Sequence, residues 1–368
     1  MKFNNILENE VFEIPKNYNK NISFRDLLKK NYEEYINILK KIEPKLIQVK
    51  NFKTKTNIDK IIEKQQEFIN GLLETIDLYY EGKPASAYFK FEEIIEKRKK
   101  GFRTMLSIDE FDINQNFYRI RTSQENFPFN NYQMFHISFE SRGKVSTQRY
   151  SIPGFPSLYI SKTLYVAWEE LKRPNVNDFQ AIRLTNKSKI KFLDLTSQKI
   201  NISIDEITSS NYKYVMTFPL ILACSIRVKN YNDIFKPEYI IPQILLQWIR
   251  ENDEIDAIKY SSTHIKNNEK KLEGDLYNLV LPVRENKDKG LCTSLTNKFE
   301  ITETISKQLI DFTFGGTESF CQSETEKLRI TKKIPRLEII NGTKTSYNTS
   351  ILGKMEYLLD IMKTKKII

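Results

Sequence analysis

Apolar residues change their spacing part-way along this chain, and that change decides which folds are open to it. Over the first hundred residues they recur at helical intervals. Ser23-Phe24-Arg25-Asp26 reads as a capping-box-like start. Behind it Leu27, Leu28, Tyr32, Tyr35, Ile36, Leu39 and Ile42 form an apolar stripe. Thr56-Asn57-Ile58-Asp59 opens a second stripe, predicted to end near Tyr80 because Gly82 and Pro84 break a helix. A third helix is predicted over 85–100. From about Asn116 the runs shorten, turn residues separate them, and strands are predicted at 117–121, 133–137, 157–161, 179–184 and 191–195. The helical stripes belong to a core, and no chemistry is assigned to them.

A helix at 163–172, stopped by Pro174, interrupts the strands, and another is predicted at 242–252 with Pro242 in its first turn. Strands follow at 257–260 and 278–283. The tail carries β-like pieces at 299–304 and 337–340 before an amphipathic helix at 351–362. Strands and helices alternate irregularly, so the fold class is α+β rather than a doubly wound sheet. There is no G-x-G-x-x-G and no Walker A sequence, and Gly315-Gly316 is a turn signal only.

With 368 residues, 40% of them hydrophobic, the chain is long enough for a full-sized core and reads as globular. No apolar run reaches bilayer length, the stretch from Phe218 to Ile226 included. Met1-Lys2-Phe3-Asn4-Asn5 leads to Glu8 and Glu10 without a signal core, so export is not expected. Three cysteines, Cys224, Cys292 and Cys321, lack paired spacing and fit a reducing cytoplasm. With only His136 and His264 beside them, no metal site is predicted. The excess of 58 basic over 47 acidic residues, a net charge of +11, suits anionic partners. The bases are dispersed, however. The one tight run, Lys97-Arg98-Lys99-Lys100, follows Glu92, Glu93 and Glu96 and is expected to be a solvated helix end.

Polar residues of catalytic type sit within the β-rich segment. Arg119 and Arg121 share one side of a strand, with Ile120 opposite. Arg149 precedes the turn Ile152-Pro153-Gly154, and Tyr159 lies in a strand. Ala167-Trp168-Glu169-Glu170 places carboxylates in an apolar helix, and Tyr260-Ser261-Ser262 ends a strand in hydroxyls. Taken singly, each has a duller explanation: a solvated edge, an exposed helix face, a turn.

In this order, with Leu193-Asp194-Leu195-Thr196 between the helix and the last strand, they resemble the RES-domain family, over roughly 116–283. That family is named for Arg, Glu and Ser and includes bacterial toxins that degrade NAD. The resemblance implies an ADP-ribosyltransferase-like mixed β-sheet core with helices. It divides the chain into a helical N-terminal extension (1–105), a RES-like catalytic domain (106–290) and a C-terminal extension packed on the core (291–368). By motif position Arg119, Glu170 and Ser262 match the catalytic set. Arg149, Tyr159, Arg121 and Ser261 are the expected NAD-contacting residues. Ala167 fits the family's Ala-x-x-Glu spacing to Glu170, and Glu169 and Ser261 remain the alternatives within their doublets. Ala257 departs from the family, which often has Gly before the final strand.

The implied chemistry is cleavage of the nicotinamide–ribose bond of NAD, a substrate rather than a cofactor; no other cofactor is expected. Positive charge grows on the sugar in the transition state, and a fixed carboxylate, Glu170, stabilises it there more than in the ground state. Arg119, with Arg149 in support, is expected to grip the diphosphate. Tyr159 is expected to stack on nicotinamide, and Ser262 to bond the ribose or a phosphate. Water, inorganic phosphate and a macromolecule are all open as acceptors, so an ADP-ribosyltransferase acting on a macromolecule is the alternative to a glycohydrolase or phosphorylase. Short family members are restrained by an antitoxin. A regulatory protein partner is therefore an expectation, as is either restraint of the site in cis or self-association through the N-terminal helices. A basic nucleic-acid-binding protein ranks below both enzymes, because no recognised binding motif is present.

Overall fold

The computed structural model describes residues 1–18, 21–100, 105–123, 127–196, 206–265, 276–314, 337–340 and 343–367. Gly315-Gly316 and Cys321 lie outside them. The helices are α1 (Phe24–Lys40), α2 (Ile58–Tyr80), α3 (Pro84–Lys100), α4 (Asn131–Met134) and α5 (Leu164–Glu170). They continue with α6 (Ser209–Ser225), α7 (Ile240–Glu251), α8 (Thr293–Lys298), α9 (Lys307–Phe314) and α10 (Ile351–Ile361). The strands begin with β1 (Leu46–Ile47), β2 (Thr56–Asn57), β3 (Ile108–Phe111), β4 (Asn116–Thr122) and β5 (Ser157–Ser161). Next come β6 (Phe179–Asn186), β7 (Ile190–Leu195), β8 (Ala257–Ser261), β9 (Tyr277–Pro282) and β10 (Phe299–Ile301). The last are β11 (Ile305–Ser306), β12 (Leu337–Ile340), β13 (Thr343–Thr345) and β14 (Lys365–Lys366). The fold is α+β, as the irregular alternation implies.

The chain divides into two compact units. The first comprises 1–109, 148–150 and 193–251, the second 110–147, 151–192 and 252–368. The first is helical. Ser23 caps α1 by accepting the Asp26 N–H, and Asn57 caps α2 through the N–H groups of Asp59 and Lys60. α6 packs against α1, α2 and α7 and is buried from Tyr214 to Ser225, so the apolar run around Phe218 is a core helix. Pro219 interrupts it and cannot donate to Val215. The Tyr35 hydroxyl donates to the Val215 carbonyl instead, at 2.8 Å, and Tyr32 donates to the Pro219 carbonyl at 2.9 Å.

The basic run at the end of α3 departs from the expectation. Lys97 and Lys100 are exposed, but Arg98 falls on the stripe of Phe91, Ile94 and Ile95 and is buried. It stacks 4.0 Å over Phe68 and donates to the carbonyls of Lys64 and Met216. Burial lowers its pKa to about 10, which leaves it charged at neutral pH. Helical spacing, not local charge, decides where a side chain goes.

The second unit is built on a sheet in the order β14-β10-β6-β4-β5-β9-β8-β7-β3, with β11 also on β6. The division between the units falls within β3 and β7. Strand alternation gives the sheet two apolar faces. Tyr118, Ile120, Phe179 and Ala181 pack under α5 and α10. Phe117, Leu158, Ile160, Ile182, Leu279 and Leu281 pack with Phe135, Phe139 and Leu295 on the other side. The strand predicted at 133–137 is not formed. Asn130 accepts the Gln133 N–H at 2.8 Å while the Gln133 side chain accepts the Asn130 N–H at 3.0 Å, and this capping box closes the short helix α4.

α10 is fastened to the unit at its middle and at its C-terminal end. Glu356 is fully buried and accepts the Leu164 N–H, the first of α5, at 2.9 Å, and the Tyr347 hydroxyl at 2.7 Å. Arg183 donates to the carbonyl of Leu359 at 2.7 Å and to that of Met362 at 2.5 Å. Gly353 has no alternative, since a Cβ there would stand 2.1 Å from the Tyr347 carbonyl oxygen.

Candidate functional site

β4 pairs with β6 along its whole length and β5 likewise with β9, yet β4 and β5 share one register pair, Tyr118 with Ser161. Beyond it the two strands part. Arg119 spans the opening: Nη1 donates to the Tyr159 carbonyl at 2.7 Å and Nε to the Met134 carbonyl at 3.0 Å. A strand carbonyl that a closed ladder would satisfy is thus held by a guanidinium. Burial, with a further contribution from the Arg121 charge, lowers the Arg119 pKa to about 10. It stays cationic at neutral pH. Arg121, next on that side of β4, donates to the Gln133 carbonyl and lies 5.3 Å over the Phe129 ring.

The Tyr159 side chain projects opposite Leu158 and Ile160, toward the face that α5 covers. That face is polar at its centre. Ser161, Asn278 and Tyr260 lie side by side across β5, β9 and β8, and Tyr159, Val280 and Ile258 form the next row. Ser161 donates to Asn278 Oδ1 at 2.5 Å, while Asn278 Nδ2 is buried without a partner among the described residues. Ser262 continues this face two residues past Tyr260. It is completely buried, and its Oγ accepts the His264 N–H at 3.1 Å. Ser261 pairs with Tyr277, which belongs to the opposite apolar face. The two serines of the doublet therefore point to different sides of the sheet.

α5 packs on β4, β5 and β9 and starts at Thr163, whose side chain accepts the Val166 N–H. It stops at Glu170, with Lys172 and Arg173 in the left-handed region at φ 60° and 58°. The returning chain brings Arg173 back onto Glu169. Glu169 is 4% exposed, and its carboxylate takes Arg173 Nη2 at 2.6 Å and Nε at 3.0 and 3.1 Å. The same guanidinium lies 5.1 Å over the Trp168 ring. Glu170 differs. It is half-buried, and its Oε1 is buried with no hydrogen-bond partner among the described residues. One carboxylate of the doublet is consumed by the fold, and the other retains accepting capacity at the end of a helix.

Of the residues singled out by sequence, Arg119, Arg121, Tyr159, Glu170, Ser261 and Ser262 all lie in the second unit. Arg119 touches the backbone carbonyl of Tyr159. Strand alternation, however, puts the Arg119 and Arg121 side chains on the Phe117 face of the sheet and those of Tyr159 and Ser262 on the face under α5. The structure does not bring the two sets together. Arg149 lies in the first unit, where it donates to the carbonyls of Cys224 at 3.0 Å and Ile226 at 2.8 Å, closing the end of α6. Asn278 escaped the sequence reading. Its signal was there, an amide inside the apolar run Tyr277-Asn278-Leu279-Val280-Leu281. His136 is a core residue: burial lowers its pKa to about 4, and Nε2 accepts the Cys292 N–H at 2.9 Å.

Over 89% of its length the chain is 36% identical to a Bacillus subtilis (strain 168) protein named "Putative toxin YopC", of which it covers 74%. The chain belongs to the YopC family. The similarity to YopC runs over 347 residues, longer than either compact unit, so it takes in residues of both. No family model matches the chain, and no solved structure does. Among the described residues, no helix is long and apolar enough to cross a membrane.

Proposed function

We propose that this chain is a toxin that cleaves the nicotinamide–ribose bond of NAD. The name of YopC supports the toxin role, and the ordered Arg, Tyr, Glu and Ser residues of the second unit support the chemistry. The observation that carries the reading is the contrast within the Glu169-Glu170 doublet. Arg173 neutralises Glu169, whereas Glu170 keeps a carboxylate oxygen without a hydrogen-bond partner among the described residues.

In this reading Glu170 faces the ribose and stabilises the positive charge that develops as nicotinamide leaves. Arg119 and Arg121 supply fixed positive charge for the diphosphate. Arg119 and Arg121 lie on the face of the sheet opposite Tyr159 and Ser262, so in this reading their charge acts through the opening between β4 and β5. Tyr159 offers its ring to the nicotinamide, and Ser262 stands on the same face for a ribose hydroxyl. Arg149, engaged at the end of α6, is left out of the substrate contacts. An ADP-ribosyltransferase-like sheet and restraint by a regulatory partner belong to the same proposal.

The test is NAD consumption by the purified chain, with and without inorganic phosphate, beside Glu170→Ala. Release of nicotinamide that the variant abolishes is the expected result. ADP-ribose identifies water as acceptor, and ADP-ribose-1-phosphate identifies phosphate. Label from biotinylated NAD on a macromolecule identifies a transferase. NAD left intact under all these conditions refutes the reading.

A further inference from the structure

A cavity of the second unit is lined by residues other than Arg119, Tyr159, Glu170 and Ser262. It has a volume of about 270 Å³ and is floored by the buried Phe179, Gln180, Thr304 and Ile305, with the exposed Asn177 and Gln308 at its rim. Sites that enclose a drug-sized ligand measure ~300–1,000 Å³. This one accommodates a single ring system rather than a whole dinucleotide.

Its place in the chain ties it to the candidate site. Ser123, which lines it, is the residue after β4, two beyond Arg121. Asn177 and Phe179 come from the segment that leaves α5 after Glu170. Gln180 lies directly across from Arg121 in the β4–β6 register. The Gln180 amide is held at both ends, accepting the Phe129 N–H at 2.7 Å and donating to the Phe127 carbonyl at 2.9 Å, so this wall is rigid. Phe179 and Ile305 offer apolar faces. Asn177 and Gln308 offer amide donors and acceptors at the mouth. Apolar faces with a polar edge are the requirements of a flat nitrogen heterocycle.

We propose that this cavity receives one heteroaromatic ring of a pyridine dinucleotide, which rests on the proposed NAD-cleaving function. The ring is either adenine or nicotinamide, two rings of one substrate with the same planar, polar-edged chemistry. The tests use the full chain. AMP and nicotinamide mononucleotide are each titrated against the wild type and against Asn177→Trp and Gln308→Ala, with ligand-observed NMR as the readout. Both substitutions lie at exposed positions, so thermal melting is expected to be unchanged.

One mononucleotide is expected to bind the wild type and to lose at least tenfold in affinity in Asn177→Trp. AMP as that ligand assigns the cavity to adenine, and nicotinamide mononucleotide assigns it to nicotinamide. In NAD cleavage, Asn177→Trp is expected to raise KM at least tenfold. If neither mononucleotide binds, or neither is weakened by Asn177→Trp, the proposal is overturned, whatever happens to NAD. If a mononucleotide binds and is weakened while NAD stays intact in the wild type, the ring site stands and the cleavage reading falls alone.

Discussion

Replacing Glu169 and Glu170 one at a time by glutamine separates two roles that adjacent identical residues have been given. Glu169 accepts three contacts from one guanidinium in a buried setting. Hydrogen bonds to charged groups contribute about 1.5–3 kcal/mol each, and breaking a fully buried pair costs about 3–5 kcal/mol. The Arg173 side chain is 26% exposed, so water recovers part of that loss. Glu169→Gln is therefore expected to cost about 2–3 kcal/mol, a fall in melting temperature of roughly 4–12 °C for a unit of this size. Glu170 Oε1 has no such partner among the described residues, and Glu170→Gln is expected to shift stability by no more than about 0.5 kcal/mol. On the proposed function it should lower the rate of nicotinamide release by about 10²–10³-fold, the usual loss for one transition-state contact. Calorimetry and nicotinamide release on the same preparations read both effects. A Glu169→Gln protein that melts like the wild type but releases no nicotinamide, beside an active Glu170→Gln, would refute the assignment within the doublet.

Two further outcomes follow from buried polar groups. Tyr35→Phe strands the Val215 carbonyl that Pro219 cannot serve, at a cost of about 1–3 kcal/mol. In a Pro219→Ala background, where residue 219 regains its N–H, that cost should fall by about 1 kcal/mol. Equal costs in both backgrounds, measured by urea unfolding, would contradict the account of α6. His136 titrates near pH 4 when folded and near 6.5 when unfolded, so the unfolded chain binds more protons between those values. Its contribution is complete above about pH 6.5 and is lost as pH falls toward 4, to a total of about 3 kcal/mol. Comparing urea unfolding of the wild type and His136→Gln across pH 7 to 4.5 isolates that slope, and parallel curves would disprove it.

Much of the fold was legible because local signals agreed with tertiary context. Ser23, Asn57 and Thr163 cap the helices they were expected to open, and the strand of Ser157–Ser161 forms over its expected span. The reading failed where a local hydrogen bond outweighed composition. Residues 133–137 are apolar and aromatic enough for a strand, but the reciprocal bonds of Asn130 and Gln133 close a helical turn first. It also failed at Arg98, where charge pointed outward and periodicity pointed inward, and at Asn278, a polar residue hidden in a run read only for its apolar neighbours.

What the sequence by itself determined is the set of chemically capable residues and their order, because residue type and spacing are local properties. It also set the strand and helix periods that place Arg119 with Arg121 and opposite Ile120. Which member of each doublet is available is not local. Glu169 is taken because the left-handed turn at Lys172 and Arg173 folds a guanidinium back onto it. Ser261 takes the Tyr277 side because the β8–β9 register pairs the two, and strand alternation then sends Ser262 to the other face. The engagement of Arg149 at the end of α6, and the opening between β4 and β5 that Arg119 spans, depend on contacts between residues distant in sequence. Only the folded chain brings those partners within hydrogen-bonding distance.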